Sequence, residues 1–267
     1  MSKEARVALI DADVILYRAG FSADSQVLAG LRQQVAEEYP DWDEQSVKDN
    51  AHLRLQDEEY LNFALGNTRT TIETIIDGRE SYRLFLTGKG NFREQVATMQ
   101  PYKGNRDPTH KPKYYTEIKQ YMIDRWNAEV IEGMEADDAM GIAQWAARDK
   151  STVICSIDKD LLMIPGWHYN IRDKEQKFVT LAEANRMFFW QMLVGDSTDN
   201  IPGIKGMGAV RSSKLLDPML GDEAAMKEAV WEYYIKQYGD NAHNAWNEVA
   251  KLLFIKREAE GDCPWLV

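Results

Sequence analysis

Acidic residues stand directly after the apolar runs of this chain, and this pattern strongly restricts its fold. Asp11 and Asp13 follow the first apolar run, and Asp158 and Asp160 follow the run at 152–157. Short apolar runs that alternate with helical patterns predict buried strands of a mainly parallel α/β sheet. Because ligands bind at the carboxyl ends of such strands, we expect these carboxylates to converge at one edge of the sheet.

Two further acidic clusters complete the pattern. Glu135, Asp137 and Asp138 open a helical stretch, and Asp196 and Asp199 lie in a polar loop. Taken singly, each cluster is a weak signal, because helix capping or a solvated turn is its ordinary explanation. If they converge, each pair of like charges about 4 Å apart costs roughly 4 kcal/mol at an effective dielectric near 20. Hard divalent cations, which prefer oxygen ligands, would remove this cost, so the combined clusters predict a two-metal phosphoryl-transfer site.

Composition limits the class of protein. A chain of 267 residues predicts one large or two modest domains with a sizeable core. No run approaches 18 apolar residues and no signal peptide is visible, so we expect no membrane association and a cytoplasmic location, in the host if phage-encoded. Two cysteines, Cys155 and Cys263, do not predict a disulfide framework, and the four histidines lack the spacing of a zinc site.

The formal charge of −11 argues against nucleic-acid binding only if the distribution of charge along the chain is ignored. Residues 79–119 hold nine Lys or Arg and four acidic residues. A local basic face of this kind is what phosphate binding needs.

The predicted organisation places a core in residues 1–183, with a helical insertion at 20–78 and a basic segment at 93–127. Residues 184–267 are predicted to form a helical DNA-binding region. The strands are expected at 7–10, 82–87, 130–131, 152–157 and near 168–171, and further helices at about 114–127 and 136–148.

Two segments have the composition of phosphate-binding elements. Residues 201–208, with Gly203, Lys205, Gly206 and Gly208, are typical of the hairpin of a helix–hairpin–helix motif, beside Arg211. Glycines let the backbone approach a phosphate, although a packed turn is the alternative. In the run 101–106, Tyr102 could stack on a base while Lys103 and Arg106 hold phosphate; a solvated charge run is the alternative.

The ordered set of these motifs resembles the 5′-nuclease or flap endonuclease family, which includes phage 5′–3′ exonucleases and the nuclease domain of bacterial DNA polymerase I. The resemblance covers roughly residues 6–216. The motifs that carry it are Asp11, Phe92-Arg93, Tyr102–Arg106, Glu135–Asp138, Asp158–Asp160, Gly195–Asn200 and Gly203–Gly208.

The resemblance implies a PIN-like nuclease core and Mg²⁺-dependent hydrolysis of DNA near 5′ single-stranded or flap ends. It implies two Mg²⁺ ions, with Mn²⁺ as a substitute, and in many members a K⁺ ion at the hairpin. The implied metal ligands are Asp11, Glu135, Asp137, Asp138, Asp158, Asp160, Asp196 and Asp199. Lys103 and Arg106 would be the catalytic contacts to the scissile phosphate, and segment 93–127 would arch over a 5′ single strand. The implied DNA-binding residues are Lys89, Arg93, Tyr102, Gly203, Lys205, Gly206, Gly208 and Arg211.

One departure from the family concerns the end of the second strand, where Thr87-Gly88 stands in place of the usual Asp. We therefore expect a first metal site that is weaker or that is ligated through water. Asp13 is a conceivable substitute, but a capping or solvent-facing role is favoured for it.

Two other functions stay open. A haloacid-dehalogenase-type phosphatase would explain Asp11, Asp13 and Thr87, but not Glu135–Asp138 or the hairpin. A catalytically impaired DNA-binding protein would explain the lost ligand. The sequence decides neither exonuclease against flap endonuclease, nor DNA against RNA–DNA hybrid, nor the oligomeric state.

Overall fold

The computed structural model describes residues 7–54, 57–107, 110–147 and 151–267. Within these ranges one six-stranded sheet has the order β3-β2-β1-β4-β5-β6, and every neighbouring pair is parallel except β5 with β6. Its strands are β1 (Val7–Asp11), β2 (Ser81–Thr87), β3 (Glu129–Ile131), β4 (Thr152–Ser156), β5 (Gly166–Asn170) and β6 (Glu175–Val179). The predicted α/β class with a mainly parallel sheet is confirmed.

The helices follow the predicted pattern with shifted ends. They are α1 (Ala12–Glu38), α2 (Glu44–Leu53), α3 (Asp57–Ile76), α4 (Arg93–Val96), α5 (Tyr115–Trp126), α6 (Ala136–Ala146), α7 (Leu181–Val194), α8 (Ala209–Leu216), α9 (Glu223–Tyr238) and α10 (Ala242–Leu253). Asp13 lies in the first turn of α1, where a carboxylate suits the helix dipole. None of the helices in the described ranges is long and apolar enough to cross a membrane.

The chain divides into two compact units. The first unit is Met1–Asp11, Arg79–Asp107 and Glu129–Val267, and the second is Ala12–Gly78 with Pro108–Ala128. This division differs from the predicted one, because the helical region 184–267 lies in the same unit as the sheet. The helix–hairpin–helix role of that region stays a prediction.

The second unit is helical, with α1 packed on α2, α3 and α5. Its centre is tightly packed: a Cβ added to Gly20 would lie 2.3 Å from the Cβ of Pro112. The buried faces of α3 and α5 include Ile72, Ile75, Ile118 and Met122.

The core of the first unit places α6 against the sheet. Leu9, Phe85 and Ile154 come from three adjacent strands and form one buried cluster with Ala136 and Met140 of α6. Full burial of such side chains contributes about 1.5–3 kcal/mol each. The amino-terminal turn of α6 is thereby fixed at the edge where the parallel strands end.

Candidate active site

The carboxyl ends of β1 and β4 are joined by a serine that the sequence analysis did not single out. Asp11 is buried, and its Oδ2 accepts a hydrogen bond from Ser156 Oγ at 2.6 Å. The same Ser156 Oγ accepts from the backbone N–H of Asp158 at 2.9 Å. Ser156 therefore fixes Asp11 relative to the loop that carries Asp158. The available signal was its position as a polar residue near the end of the apolar run 152–157, two residues before Asp158.

The first turn of α6 brings a second set of carboxylates to this edge. Asp137 is half-buried, and burial, followed by the charges of Asp11 and Asp158, raises its pKa well above the usual range. Such an effect requires the three carboxylates, which lie 147 residues apart in the chain at their extremes, to be close in space. The assignment of these carboxylates as metal ligands stays a prediction.

The loop after β4 meets the loop after α7. Burial raises the pKa of Asp158, and the charges of Asp199 and Asp196 raise it further. Burial and the neighbouring Asp158 and Asp196 raise the pKa of Asp160 to about 8. Gln191 Nε2 also donates to Asp160 Oδ1 at 2.6 Å. These groups hold protons far more readily than isolated carboxylates, which is the electrostatic signature of a crowded anionic site.

The cationic residues predicted to hold phosphate lie against two of these carboxylates. Lys103 forms an ion pair with Glu135 and lies 3.7 Å from Asp199 Oδ2. Arg106 forms an ion pair with Asp199. The Tyr102 hydroxyl lies 2.8 Å from Asp199 Oδ2 and 3.0 Å from Glu135 Oε2.

Tyr102 is held as a hydrogen-bond donor. Burial and the negative charges of Glu135 and Asp199 raise its pKa, so the hydroxyl keeps its proton. The backbone N–H of Lys103 donates to Asp199 O at 2.9 Å, with Lys103 at a φ of 55°. This left-handed conformation is uncommon for a residue with a side chain and directs Lys103 toward the carboxylates.

Arg93 requires a correction. It was predicted to bind DNA, but its side chain is only 2% exposed and forms a bidentate pair with Asp138, at 2.6 and 2.9 Å. A buried guanidinium that is engaged in this way cannot reach a DNA backbone in this structure.

Asp138, predicted as a metal ligand, is also differently placed. Its two oxygens accept four hydrogen bonds, two from Arg93 and one each from the backbone N–H groups of Glu135 (3.2 Å) and Lys256 (3.0 Å). A carboxylate offers about four lone-pair positions, so none is left for a cation. Asp138 has 0% exposure.

The end of β2 explains how the chain uses Thr87. Thr87 Oγ1 accepts from Ala136 N at 3.1 Å, which satisfies one of the free N–H groups that open α6. A Cβ added to Gly88 would lie 2.6 Å from Ile131 O and from Glu132 Oε1. Position 88 therefore has no room for a carboxylate, while position 87 already directs an oxygen toward α6. Lys89 follows with an exposed side chain.

The glycine-rich loop between α7 and α8 presents its charged residues outward. Lys205 and Arg211 are exposed, and Gly206 has a φ of 80°. A Cβ added to Gly203 would lie 2.2 Å from Val194 O, whereas one added to Gly208 would meet open space. Gly203 is thus required for packing, and Gly208 leaves backbone accessible.

The donor set fits hard divalent cations in its chemistry, since carboxylates with raised pKa values gain most from a bound positive charge. Among the residues that the structure describes, no three Asp, Glu, His or Cys side chains form a preformed metal-binding group. Lys103 and Arg106 instead neutralise Glu135 and Asp199.

No protein-family model matches the chain, but phage exonucleases and bacterial DNA polymerases I are among its sequence relatives. The exodeoxyribonuclease of Enterobacteria phage T3 is 31% identical over 150 residues, which are 51% of this chain and 47% of the relative. The exonuclease of Escherichia phage T7 is 30% identical over 146 residues, with the same two shares. The thermostable DNA polymerase I of Thermus aquaticus is 30% identical over 140 residues, 47% of this chain and 17% of the polymerase. The matched region thus spans about half the length of the phage relatives.

Solved structures give the same fold. The T5 5′-exonuclease with bound divalent metal ions (zinc) superposes with a TM-score of 0.52 at 14% identity, covering 92% of this chain and 96% of that one. A second T5 structure, co-crystallised with metal ions, gives 0.50 at 14% identity, covering 92% and 94%. The sequence relatives and the shared fold support a relationship of this chain to the 5′-nuclease family, which is the family that its motifs resemble.

Proposed function

We propose that this protein is a divalent-metal-dependent 5′-nuclease that hydrolyses phosphodiester bonds near the 5′ ends of DNA. The observation that carries the proposal is the meeting of Asp11, Asp137 and Asp158 at the carboxyl edge of a parallel sheet, beside Lys103 and Arg106. Anionic oxygens for cations and cationic donors for phosphate are the two components that phosphodiester hydrolysis requires.

Two groups of carboxylates would hold the cations. Asp11, Asp137 and Asp158 form the first group, with Glu135 beside Asp137; Asp160, Asp196 and Asp199 form the second. Bound Mg²⁺ or Mn²⁺ would supply Lewis-acid activation of water and neutralise charge on the phosphate. Because the carboxylates must be deprotonated to bind, metal binding should release protons. This proton release is measurable in unbuffered solution.

Lys103 and Arg106 would bind the non-bridging oxygens of the reacting phosphate. Their present partners, Glu135 and Asp199, are among the proposed ligands. Metal cations would therefore compete with Lys103 and Arg106 for these carboxylates, and phosphate would compete with the carboxylates for the two basic side chains. Arg106 can donate two parallel hydrogen bonds to phosphate, and Lys103 supplies a compact charge. Tyr102 adds a neutral hydroxyl donor.

The duplex would lie on the loop 203–208, where Lys205 and Arg211 contact backbone phosphates and Gly208 gives close access, with K⁺ as the cation of that loop. The 5′ single strand would pass segment 93–127. Such contacts position the substrate without reading its sequence.

The test is cleavage of a 5′-labelled flap and a 5′-labelled blunt duplex in Mg²⁺, Mn²⁺ or EDTA. Wild type should cleave only with a cation, and Asp158→Ala should abolish cleavage while DNA binding persists. Glu228→Gln, an exposed carboxylate of α9, is the matched control and should cleave normally. Product lengths distinguish exonuclease from flap endonuclease.

The two other functions make different predictions in the same assay. DNA binding without cleavage in either cation would identify an impaired DNA-binding protein. Borohydride trapping of an aspartyl-phosphate on Asp11 would identify a phosphatase. Either result contradicts the proposal.

A further inference from the structure

The carboxyl-terminal segment 252–256 is tied to α6 by a buried charge network. Arg93 Nε donates to Leu252 O and Arg93 Nη2 to Phe254 O, each at 2.8 Å. Asp138 pairs with the same guanidinium and accepts from Lys256 N at 3.0 Å. One arginine and one aspartate thus hold three backbone positions that lie more than 110 residues from Asp138 in the sequence.

This network acts on the turn that carries the proposed ligands. Asp138 Oδ2 accepts from Glu135 N at 3.2 Å, and Arg93 Nη1 lies 3.7 Å from Glu135 Oε2. The backbone direction of Glu135 and Asp137 is therefore set by Asp138, and the charge of Glu135 is balanced in part by Arg93.

Apolar packing reinforces the same attachment. Ile255 belongs to the buried cluster that includes Ala136 and Met140. A Cβ added to Gly141 would lie only 2.4 Å from Lys256 O, so α6 and segment 252–256 touch through backbone. A displacement of this segment would therefore move the first turn of α6.

We infer that Arg93 and Asp138 are a positioning pair: with segment 252–256 they hold Glu135 and Asp137 in place for cation binding, and Asp138 itself is not a ligand. The inference rests on the proposed function, since it concerns the metal affinity of that site. It assigns both residues roles that differ from DNA contact and metal ligation.

The direction in which Arg93→Gln changes the affinity for Mn²⁺ distinguishes a ligand role of Asp138 from a positioning role. If Asp138 were a ligand masked by Arg93, Arg93→Gln would free it and raise the affinity for Mn²⁺. If the pair is a positioning device, Arg93→Gln leaves a buried, unpaired carboxylate and a loosened turn, so the affinity should fall about tenfold or more.

The Mn²⁺ affinity of a double variant gives a second, independent test. In Asp138→Asn alone, the unpaired Arg93 should turn to Glu135, 3.7 Å away, and lower Mn²⁺ affinity. Adding Arg93→Gln removes that competing charge, so the double variant should bind Mn²⁺ better than Asp138→Asn. A direct ligand role for Asp138 predicts no such recovery.

The experiment measures equilibrium binding of Mn²⁺ alone to the full chain, from the free-ion EPR signal, together with kcat and KM on a 5′ flap. Arg83→Gln and Glu129→Gln are the matched controls, because that bidentate pair (2.7 and 2.8 Å) is exposed and lies outside the site. Both controls should bind Mn²⁺ as wild type does. In the positioning variants, raising Mn²⁺ should restore kcat at unchanged KM, whereas a DNA-contacting Arg93 would raise KM at saturating Mn²⁺.

Folding is checked by circular dichroism, and two further variants cover the case in which Arg93→Gln does not fold. Arg93→Lys keeps the charge but cannot reach all four acceptors, and Gly141→Ala displaces Lys256 without touching either charge; both should lower Mn²⁺ affinity. If Asp158→Ala loses Mn²⁺ while these variants bind like wild type, the positioning inference is wrong and the proposed function stands. If wild type and Asp158→Ala bind Mn²⁺ equally, the proposed function itself fails.

Discussion

Protonation of His168 should make the protein less stable in mild acid. His168 lies on β5 with 6% exposure, and its Nε2 is 2.7 Å from Ile164 O, to which the neutral ring donates. Burial, with the nearby charge of Lys177, lowers its pKa to about 4. In the unfolded chain the pKa returns to about 6.5, so the unfolded state binds the proton first as the pH falls. The stability that neutral His168 confers is therefore complete above about pH 6.5 and is lost on the way down to pH 4, a loss of about 2 kcal/mol by pH 5.

Urea denaturation in EDTA at pH 7, 6 and 5 measures this loss as a difference between wild type and His168→Gln, which keeps a donor but does not titrate. Carboxylates with raised pKa values, such as Asp160, act in the opposite direction because their folded forms take up protons, but they contribute equally to both proteins. The unfolding free energies of wild type and variant should converge by about 2 kcal/mol between pH 7 and pH 5. His52→Gln, at an exposed histidine of α2, should parallel wild type. Parallel curves for His168→Gln would refute the argument.

Three further predictions concern the site and its substrate. Thr87→Asp should lower the Mg²⁺ concentration at half-maximal cleavage, because it adds a carboxylate at the strand end where Thr87 Oγ1 already reaches the first turn of α6, and equal midpoints in wild type and Thr87→Asp would contradict this. Gly88→Asp should instead destabilise the fold, since its Cβ would lie 2.6 Å from the backbone oxygen of Ile131. Lys103→Ala or Arg106→Ala should lower kcat by about 10²–10³ with little change in KM, as expected for a charge that acts on the reacting phosphate, and an effect on KM alone would make them part of a general basic surface. Gly208→Ala should weaken binding to duplex DNA at nearly unchanged stability, because its Cβ meets open space, whereas Gly206→Val should destabilise the loop at its φ of 80°; unchanged duplex affinity in Gly208→Ala would make the loop a packed turn.

The sheet and the convergence of carboxylates could be predicted because both depend on short-range signals. Apolar runs at 7–10 and 152–157 specify buried parallel strands, and parallel topology then brings their carboxyl ends to one edge. Asp11 and Asp158 meet for this reason, without any need to know their partners in advance.

Strand β6 could not be predicted, because its sequence carries no hydrophobic alternation. Its residues 175–177 are exposed, and it is ordered by pairing with β5 through a short turn in which Lys174 has a φ of 57°. A connection this short can only join antiparallel strands, so the edge of the parallel sheet is antiparallel. The hydrogen bonds that stabilise it come from the partner strand, which the local sequence does not show.

The buried environment of Arg93 and Asp138 could not be predicted, because their partners are remote in sequence. The basic surroundings of Arg93 indicate a surface, yet its acceptors lie 45, 159 and 161 residues away. Local composition gives the charge of a residue, whereas burial depends on whether distant groups can satisfy every donor. Here four acceptor atoms take hydrogen bonds from four of the five N–H groups of Arg93, and the guanidinium is buried with its charge.

The distribution of charge between the two units is compatible with the proposed binding of DNA by an acidic chain. Residues 12–78 of the second unit hold 13 acidic and five basic residues, so most of the formal charge of −11 lies in that segment. The first unit holds 28 acidic and 23 basic residues, and seven of its acids remain as proposed ligands once Asp138 is set aside. Without those seven, the first unit has two more basic than acidic residues. Two divalent cations would bring its formal charge from −5 to −1, so cation binding should strengthen DNA binding as well as enable hydrolysis. Since phosphate contacts dominate such affinity, DNA binding by the metal-loaded protein should fall more steeply with salt than binding in EDTA.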